Sequence, residues 1–255
     1  MNSKNQTVAF LILLAQTVVG LAVLMLVKLI PTPSWFSPSL LALLIFIILN
    51  VALAHLLNIK NELKNFWTLK KSYLLPLGAV GGLLIAAFPS LLALIFSEIT
   101  FDQIIFQQAI SFQTIGITLI IVGWEELWFR SILLNYCKRT LSPTTVSLLI
   151  GLFFMLVHLL NPNFEILNAG LALFFAGTFL TMSYFYTQSI WAPVGLHFGN
   201  NIFSNLFEVE FKNQLLFGSD GYISALILAA LTLILWQKLK TNKFMLNYSL
   251  AYSNR

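Results

Sequence analysis

Long apolar runs, separated by short polar segments, make up most of the chain. Most of these runs have about the 20 residues that a helix needs to cross roughly 30 Å of hydrocarbon. The pattern therefore predicts membrane-spanning helices at residues 8–30, 40–57, 74–96, 104–136, 144–160, 166–186, 190–207 and 222–236. The fourth run is longer than one span requires and contains Gly116 and Gly123. It is expected to begin as an interfacial segment, to tilt, or to bend near its polar residues.

Composition supports a polytopic membrane protein. Hydrophobic residues make up 58% of the chain and charged residues 9%, and the mean hydropathy is +0.87, whereas about a quarter of the residues in soluble domains are charged. The first run is too long for the apolar part of a signal peptide and is expected to remain as a span. We expect an all-α integral membrane fold of about eight transmembrane helices enclosing an intramembrane polar site. A single domain would cover 1–255, with its motif-bearing core at about 104–207.

The basic residues give an orientation. The net charge of +5 does not indicate a nucleic-acid partner, because the Lys and Arg residues lie in short tracts between apolar runs. Tracts at 60–71, 138–139 and 238–255 fall on one side, while the loops of the other side hold mainly acidic residues. The positive-inside rule places both termini in the cytoplasm, in a membrane expected to be a bacterial plasma membrane. His55 lies at the end of a span and is predicted to be interfacial.

Three predicted helices carry ionisable or amide side chains well inside their apolar runs. Charged groups in hydrocarbon are costly, so they persist where they pair with one another or line a wet cavity. At 1.5 Å per residue, Glu125, His158 and Asn201 lie roughly 18–22 Å from the predicted cytoplasmic ends of their helices, and His197 lies roughly 12 Å from its own. Matching depths predict that the side chains meet. They are Glu125, Glu126, Arg130, His158, His197 and Asn201.

Helical spacing divides the two adjacent glutamates. Residues four apart share a helix face, so Glu126 is predicted to pair with Arg130. Glu125 points about 100° away and has no obvious cation on its own helix. A carboxylate in that setting is suited to act as a general base on water.

The two later motifs supply complementary groups. His197 and Asn201 are four residues apart and project together, and both side chains can donate hydrogen bonds to an oxyanion. His158, on a separate helix, is placed to share the water with Glu125 and to pass its proton to a leaving amine. The set predicts a hydrolase that needs no serine or cysteine nucleophile.

The three motifs together resemble a known family. Glu-Glu-x-x-x-Arg at 125–130, Phe-x-x-x-His at 154–158 and His-x-x-x-Asn at 197–201 are similar to the motif set of the CPBP family. This family comprises the CAAX proteases and bacteriocin-processing enzymes, is also called Abi, and includes the type II CAAX prenyl endopeptidase. The resemblance implies an intramembrane endopeptidase without a cofactor, acting in bacteriocin or peptide maturation or in self-immunity. Its substrate would be a peptide or membrane protein entering from the membrane or the cytoplasm. By this resemblance Glu125 and His158 activate the water, His197 and Asn201 form the oxyanion site, and Glu126 and Arg130 support the site.

Three alternatives remain open at the level of sequence. Glu125, His158 and His197 form a two-histidine, one-carboxylate set of the kind that binds catalytic zinc, although the HExxH spacing is absent. A non-catalytic immunity or scaffold protein would use the charged cluster only to hold helices together. A transporter would also explain intramembrane charges, but its usual inverted repeats are not found in this sequence.

The predicted orientation can be tested by cysteine labelling. Cysteines introduced at Asn61 and Thr241 should not react with a membrane-impermeant thiol reagent in intact cells, because both positions lie in predicted cytoplasmic segments. A cysteine at Glu210 should react, because the predicted topology places it outside. Labelling at Asn61 or Thr241 in intact cells would contradict the eight-span arrangement.

Overall fold

The computed structural model describes most of the chain, namely residues 3–31, 38–56, 69–106, 112–130, 134, 137–138, 140–160, 166–218 and 220–241. Residues 57–68, which include the labelling position Asn61, lie outside the described residues. So do several charged residues used for the orientation, namely Lys60, Lys64, Arg139, Glu165, Lys243 and Arg255.

The described chain is mainly helical. In chain order the helices are α1 (Ser3–Leu29), α2 (Pro38–Leu56), α3 (Leu74–Ile95), α4 (Phe112–Arg130), α5 (Pro143–Val157), α6 (Ile166–Thr187), α7 (Trp191–Leu206), the short α8 (Gln214–Phe217) and α9 (Tyr222–Thr241). Single 3₁₀ turns occur at Leu69–Lys71, Phe101–Gln103 and His158–Leu160. Each predicted span contains one of the long helices, within a few residues at most ends.

The helices support an integral membrane protein. Within the described residues, three helical stretches are long and apolar enough to cross a membrane, namely Leu74–Ile95, Ile166–Thr187 and Gln214–Thr241. Shorter apolar helical segments occur at Thr17–Val27, Leu40–Ala52 and Pro143–Val157. Large apolar side chains are exposed along the helices, as at Leu77, Val80 and Leu84 of α3, which suits a surface in contact with lipid. The count of eight spans stays a prediction.

The start of the fourth predicted span is not helical. Ile104–Phe106 forms strand β1, which pairs antiparallel with strand β2 (Phe207–Val209) directly after α7. This short ladder is an exception within a mainly helical fold. The β-branched and aromatic residues of β1 favour a strand, and β2 supplies the partner for its backbone hydrogen bonds. Helix α4 begins at Phe112 and runs through both Gly116 and Gly123 to Arg130.

Helix α4 is held on one side by α2 through an aromatic contact. The ring of Phe46, which is fully buried, lies 5.2 Å from that of Trp124 and 4.6 Å from that of Trp128. Such pairs contribute about 0.5–1.5 kcal/mol beyond the burial of their area. The two tryptophans flank the glutamate pair in sequence, so this contact fixes how α4 presents its acidic residues to α6 and α7.

Helices α3 and α7 pack against each other at the closest distance that backbones allow. Each carries a pair of glycines four residues apart, Gly78 and Gly82 on α3 and Gly195 and Gly199 on α7. A Cβ added at any of the four would meet backbone atoms of the facing helix. Small residues at this spacing let two membrane helices approach closely. Because His197 lies between the two α7 glycines, this contact sets the position of His197.

Alanine substitutions on α3 should separate close packing from helix propensity. Gly82→Ala would place a Cβ against the carbonyl group of Leu196, so the helices must move apart, at a cost of about 1–3 kcal/mol. Gly81→Ala is the matched control, because its Cβ would meet only the flexible end of the Leu196 side chain at 3.3 Å. It should be neutral, or more stable by about 0.5–1 kcal/mol. Thermal unfolding in detergent measures both, and equal stabilities for the two variants would contradict the proposed contact.

Candidate active site

A fully buried ion pair lies at the centre of the site. Arg130 Nη1 donates to Glu126 Oε1 at 2.9 Å, and both side chains have no exposed area. The other guanidinium nitrogens reach α6, where Nη2 donates to the carbonyl oxygen of Gly177 at 2.9 Å and Nε to the hydroxyl of Thr181 at 3.3 Å. Every nitrogen of the guanidinium therefore has an acceptor, which is the condition under which a buried charge is tolerated. The predicted pairing of Glu126 with Arg130 is confirmed.

His197 lies between the two glutamates. Its Nδ1 is 2.8 Å from Glu126 Oε1, and its Nε2 is 3.7 Å from Glu125 Oε2. Glu126 Oε1 therefore accepts from Arg130 and from His197, and it joins α4 to α7. The sequence analysis left Glu125 without a cation and gave Glu126 only one partner, because helical spacing reports neighbours on the same helix alone. The structure adds one histidine from α7 beside both carboxylates, at hydrogen-bond distance from Glu126 and at 3.7 Å from Glu125.

The contact with Glu126 fixes the ring of His197. An ionised carboxylate only accepts hydrogen bonds, so Nδ1 carries a proton and donates it. Nε2 then faces Glu125 at a distance longer than a hydrogen bond. A carboxylate that orients an imidazole in this way sets which nitrogen is presented to a reacting group. Glu126 thus has a positioning function toward His197 in addition to its ion pair.

Helix α5 ends at Val157, and the next residue, His158, begins a 3₁₀ turn. Its Nδ1 is 2.7 Å from the carbonyl oxygen of Phe154. Because a carbonyl oxygen can only accept, Nδ1 is the donor and Nε2 is the nitrogen able to accept a proton from water. The backbone carbonyl group of Phe154, in the last turn of α5, thus orients the ring of His158.

The Phe154 ring separates the charged groups. Its centroid lies 4.9 Å from that of His158 and 5.8 Å from that of His197, and the guanidinium carbon of Arg130 lies 5.1 Å from it. The phenylalanine of the Phe-x-x-x-His motif therefore forms a wall shared by both histidines. Its face also attracts the buried cation. The four-residue spacing is consistent with the contact to His158, whereas the contacts with His197 and Arg130 join different helices and have no sign in the spacing.

A cavity of about 570 Å³ brings most of the predicted residues together. Glu125, His158, His197 and Asn201 all line it, with Glu125 12% exposed. Glu126 and Arg130 are fully buried and are not among the lining residues. Convergence of these side chains from α4, α5 and α7 is the arrangement that their matching depths predicted.

Other polar residues fall into two groups. Asn205 Nδ2 donates to the hydroxyl of Thr118 at 2.9 Å, which ties α7 to α4 and gives Asn205 a structural function. His55 is exposed in the last turn of α2 and does not line the cavity. Asp220 does line it, in the turn before α9, together with Asn168 of α6. Sequence analysis placed Asp220 only in a predicted outer loop, because no spacing connects it with the three motifs.

The alternative zinc site would use Glu125, His158 and His197 as ligands. Among the described residues, no group of three or more His, Cys, Asp or Glu side chains is arranged to hold a metal ion.

One comparison with known proteins identifies the motif-bearing segment. The family model described as type II CAAX prenyl endopeptidase Rce1-like matches residues 107–203. The matched segment contains every predicted site residue from Glu125 to Asn201 and ends before Asp220. No curated protein and no solved structure is detectably similar to the chain.

Removing the charge of Glu126 should lower the stability of the protein more than removing the charge of Glu125. Glu126→Gln leaves the buried Arg130 without its counter-charge and His197 without its anionic acceptor, and losing one member of a buried pair costs about 3–5 kcal/mol. Glu125→Gln should cost much less, because Glu125 lines the cavity and makes only the 3.7 Å contact with His197. Thermal unfolding in detergent compares the two variants. Similar losses would show that Glu126 is not the central buried charge.

Proposed function

We propose that this chain, whose residues 107–203 match the family model of the type II CAAX prenyl endopeptidases, is a member of the CAAX protease family and an intramembrane endopeptidase that hydrolyses a peptide bond with an activated water. The observation that carries the proposal is the lining of one cavity by Glu125, His158, His197 and Asn201. These are the two bases and two hydrogen-bond donors that such a reaction requires. The proposed mechanism uses only groups of the protein itself.

Glu125 is the proposed general base. It lines the cavity and has residual exposure, so a water can reach its carboxylate. As the water oxygen forms a bond to the carbonyl carbon of the substrate, one of its protons passes to Glu125. His158 helps to hold this water through Nε2, because Nδ1 is occupied by the carbonyl oxygen of Phe154.

His197 and Asn201 are the proposed donors to the oxyanion. If His197 carries protons on both nitrogens, the buried group of Glu125, Glu126, Arg130 and His197 has zero net charge, which is the cheapest state for charges out of water. Nε2 then offers a charged N–H group beside Glu125, and the amide of Asn201 offers a neutral one. Donors held in place before the reaction stabilise developing negative charge without reorganising.

Collapse of the tetrahedral intermediate completes the proposed cycle. The carbon–nitrogen bond breaks, and the proton taken from the water passes to the leaving amine by way of Glu125 and His158. The products are a new carboxyl group and a new amine, and the side chains return to their starting protonation states. No covalent bond forms between the protein and its substrate.

The proposed setting is a bacterial plasma membrane with both termini in the cytoplasm. The substrate is a peptide or a membrane protein, and its cleavage serves peptide or bacteriocin maturation or self-immunity. Support for the setting comes from the distribution of basic residues and the apolar helices, and support for the pathway comes only from the resemblance of the three motifs.

Purified full-length protein with a library of internally quenched peptides tests the proposal. Wild type should release fluorescence, Glu125→Gln should abolish it while unfolding at nearly the wild-type temperature, and Asn201→Ala should lower kcat by roughly 10²–10³ with little change in KM. A strong chelator should leave the rate unchanged.

Two results would overturn the mechanism. Full activity in folded Glu125→Gln protein would remove the proposed base and favour a scaffold function for the charged cluster. Inactivation by chelation with recovery on adding Zn²⁺ would instead assign Glu125, His158 and His197 to a zinc site.

A further inference from the structure

The charges along the cavity are of one sign outside the histidines. Two carboxylates line it, those of Glu125 and Asp220, and no Lys or Arg side chain does so among the described residues. Within the proposed mechanism Glu125 has His197 beside it, whereas Asp220 has no part in the reaction. Asp220 is therefore a charge that the proposed chemistry does not use.

The backbone around Asp220 is held in place. Gly221 N donates to the carbonyl oxygen of Gly218 at 2.8 Å, and the hydroxyl of Ser224 donates to the same oxygen at 3.3 Å. Gly218, Gly221 and Ser224 also line the cavity. The turn thus presents Asp220 at the cavity from a fixed backbone, while its side chain keeps access to solvent. Its carboxylate lies within electrostatic range of His158.

The position of Asp220 has a consequence for the substrate. A free carboxyl terminus or an acidic side chain in this cavity would approach two negative groups, with no described Lys or Arg in the lining to compensate. A lysine, an arginine or a free amine would instead find a solvent-accessible carboxylate within electrostatic range of His158. Complementary charge at such a place discriminates between substrates more than it adds affinity.

Other charges at this end of the molecule act in the same direction. Strand β2 and the residue after it carry exposed Glu208 and Glu210, and Asp102 precedes the paired strand β1. The nearby Lys212 donates to the carbonyl oxygen of Ser97 at 2.8 Å. These three carboxylates do not line the cavity, so the general field of this acidic surface is distinct from the local charge of Asp220.

We propose that Asp220 is a specificity-determining residue, which selects peptides with a positive charge close to the scissile bond. This inference rests on the proposed function. The substrate class of this site is then cationic peptides. Asp220 lies beyond the matched family segment, so the preference would be a property of this chain rather than of its three motifs.

The test compares matched peptides that carry Lys, Gln or Glu at each position flanking the bond cleaved by wild type. Wild-type kcat/KM should be highest for the Lys peptide at one of these positions. Asp220→Asn should reduce the Lys-to-Glu preference about fivefold, the size that a partly exposed ion pair supports. Asp220→Lys should reverse it. Asp102→Asn is the matched control, because it removes the same charge from the same end without lining the cavity, and it should leave the preference unchanged.

Binding of the same peptides to Glu125→Gln protein, with and without Asp220→Asn, gives a readout that does not require turnover. Tighter binding of Lys peptides that depends on Asp220 supports the inference even if no peptide is cleaved, in which case the proposed function fails alone. Equal binding and equal kcat/KM for Lys and Glu peptides would overturn the inference while leaving a protease. An equal effect of Asp102→Asn and Asp220→Asn would also overturn it, because it would reduce the preference to the general field of the acidic surface.

Discussion

A single buried carboxylate oxygen, Oε1 of Glu126, connects the parts of this site. It accepts from Arg130 on its own helix and from His197 on α7, while the same guanidinium binds the backbone of α6 at Gly177. Charges this deep are stabilised by pairing and hydrogen bonding, and both contacts of the Glu126 carboxylate fall on Oε1, since Oε2 has no hydrogen-bond partner among the described residues. The relative position of α4, α6 and α7 therefore depends on one acid, and with it the direction in which His197 points.

Close packing supplies the precision that electrostatics alone would not. The glycine pairs of α3 and α7 bring the two backbones into contact on either side of His197, and the aromatic contact of Phe46 with Trp124 and Trp128 fixes α4 from the opposite side. Catalytic groups must be held to within a fraction of an ångström for donors and bases to act together. The apolar residues of this protein thus position the polar side chains of the site, although they take no part in the proposed reaction.

The cavity combines a buried network of paired side chains with the exposed carboxylate of Asp220. In the network, Glu126 pairs with Arg130, and His197 lies between the carboxylates of Glu125 and Glu126. At the rim, Asp220 has no Lys or Arg beside it in the described cavity lining. The proposed reaction uses the first group of charges, and the proposed choice of substrate uses the second. Separating the two functions lets specificity change without disturbing the buried network.

The sequence by itself determined the helical membrane class, the positions of the helices and the identity of the side chains that meet. Helix geometry is local, and it relates the length of an apolar run to a membrane span and a four-residue spacing to one face of a helix. The pairing of Glu126 with Arg130, and the common face of His197 and Asn201, were therefore predictable. Tertiary structure decided which helices exchange these groups. The contact of His197 with both glutamates, the contact of Phe154 with His197, the pairing of strand β1 with β2, and the position of Asp220 at the cavity all join residues far apart in the chain. Their positions depend on the packing of neighbouring helices, and helical periodicity carries no information about a partner on another helix.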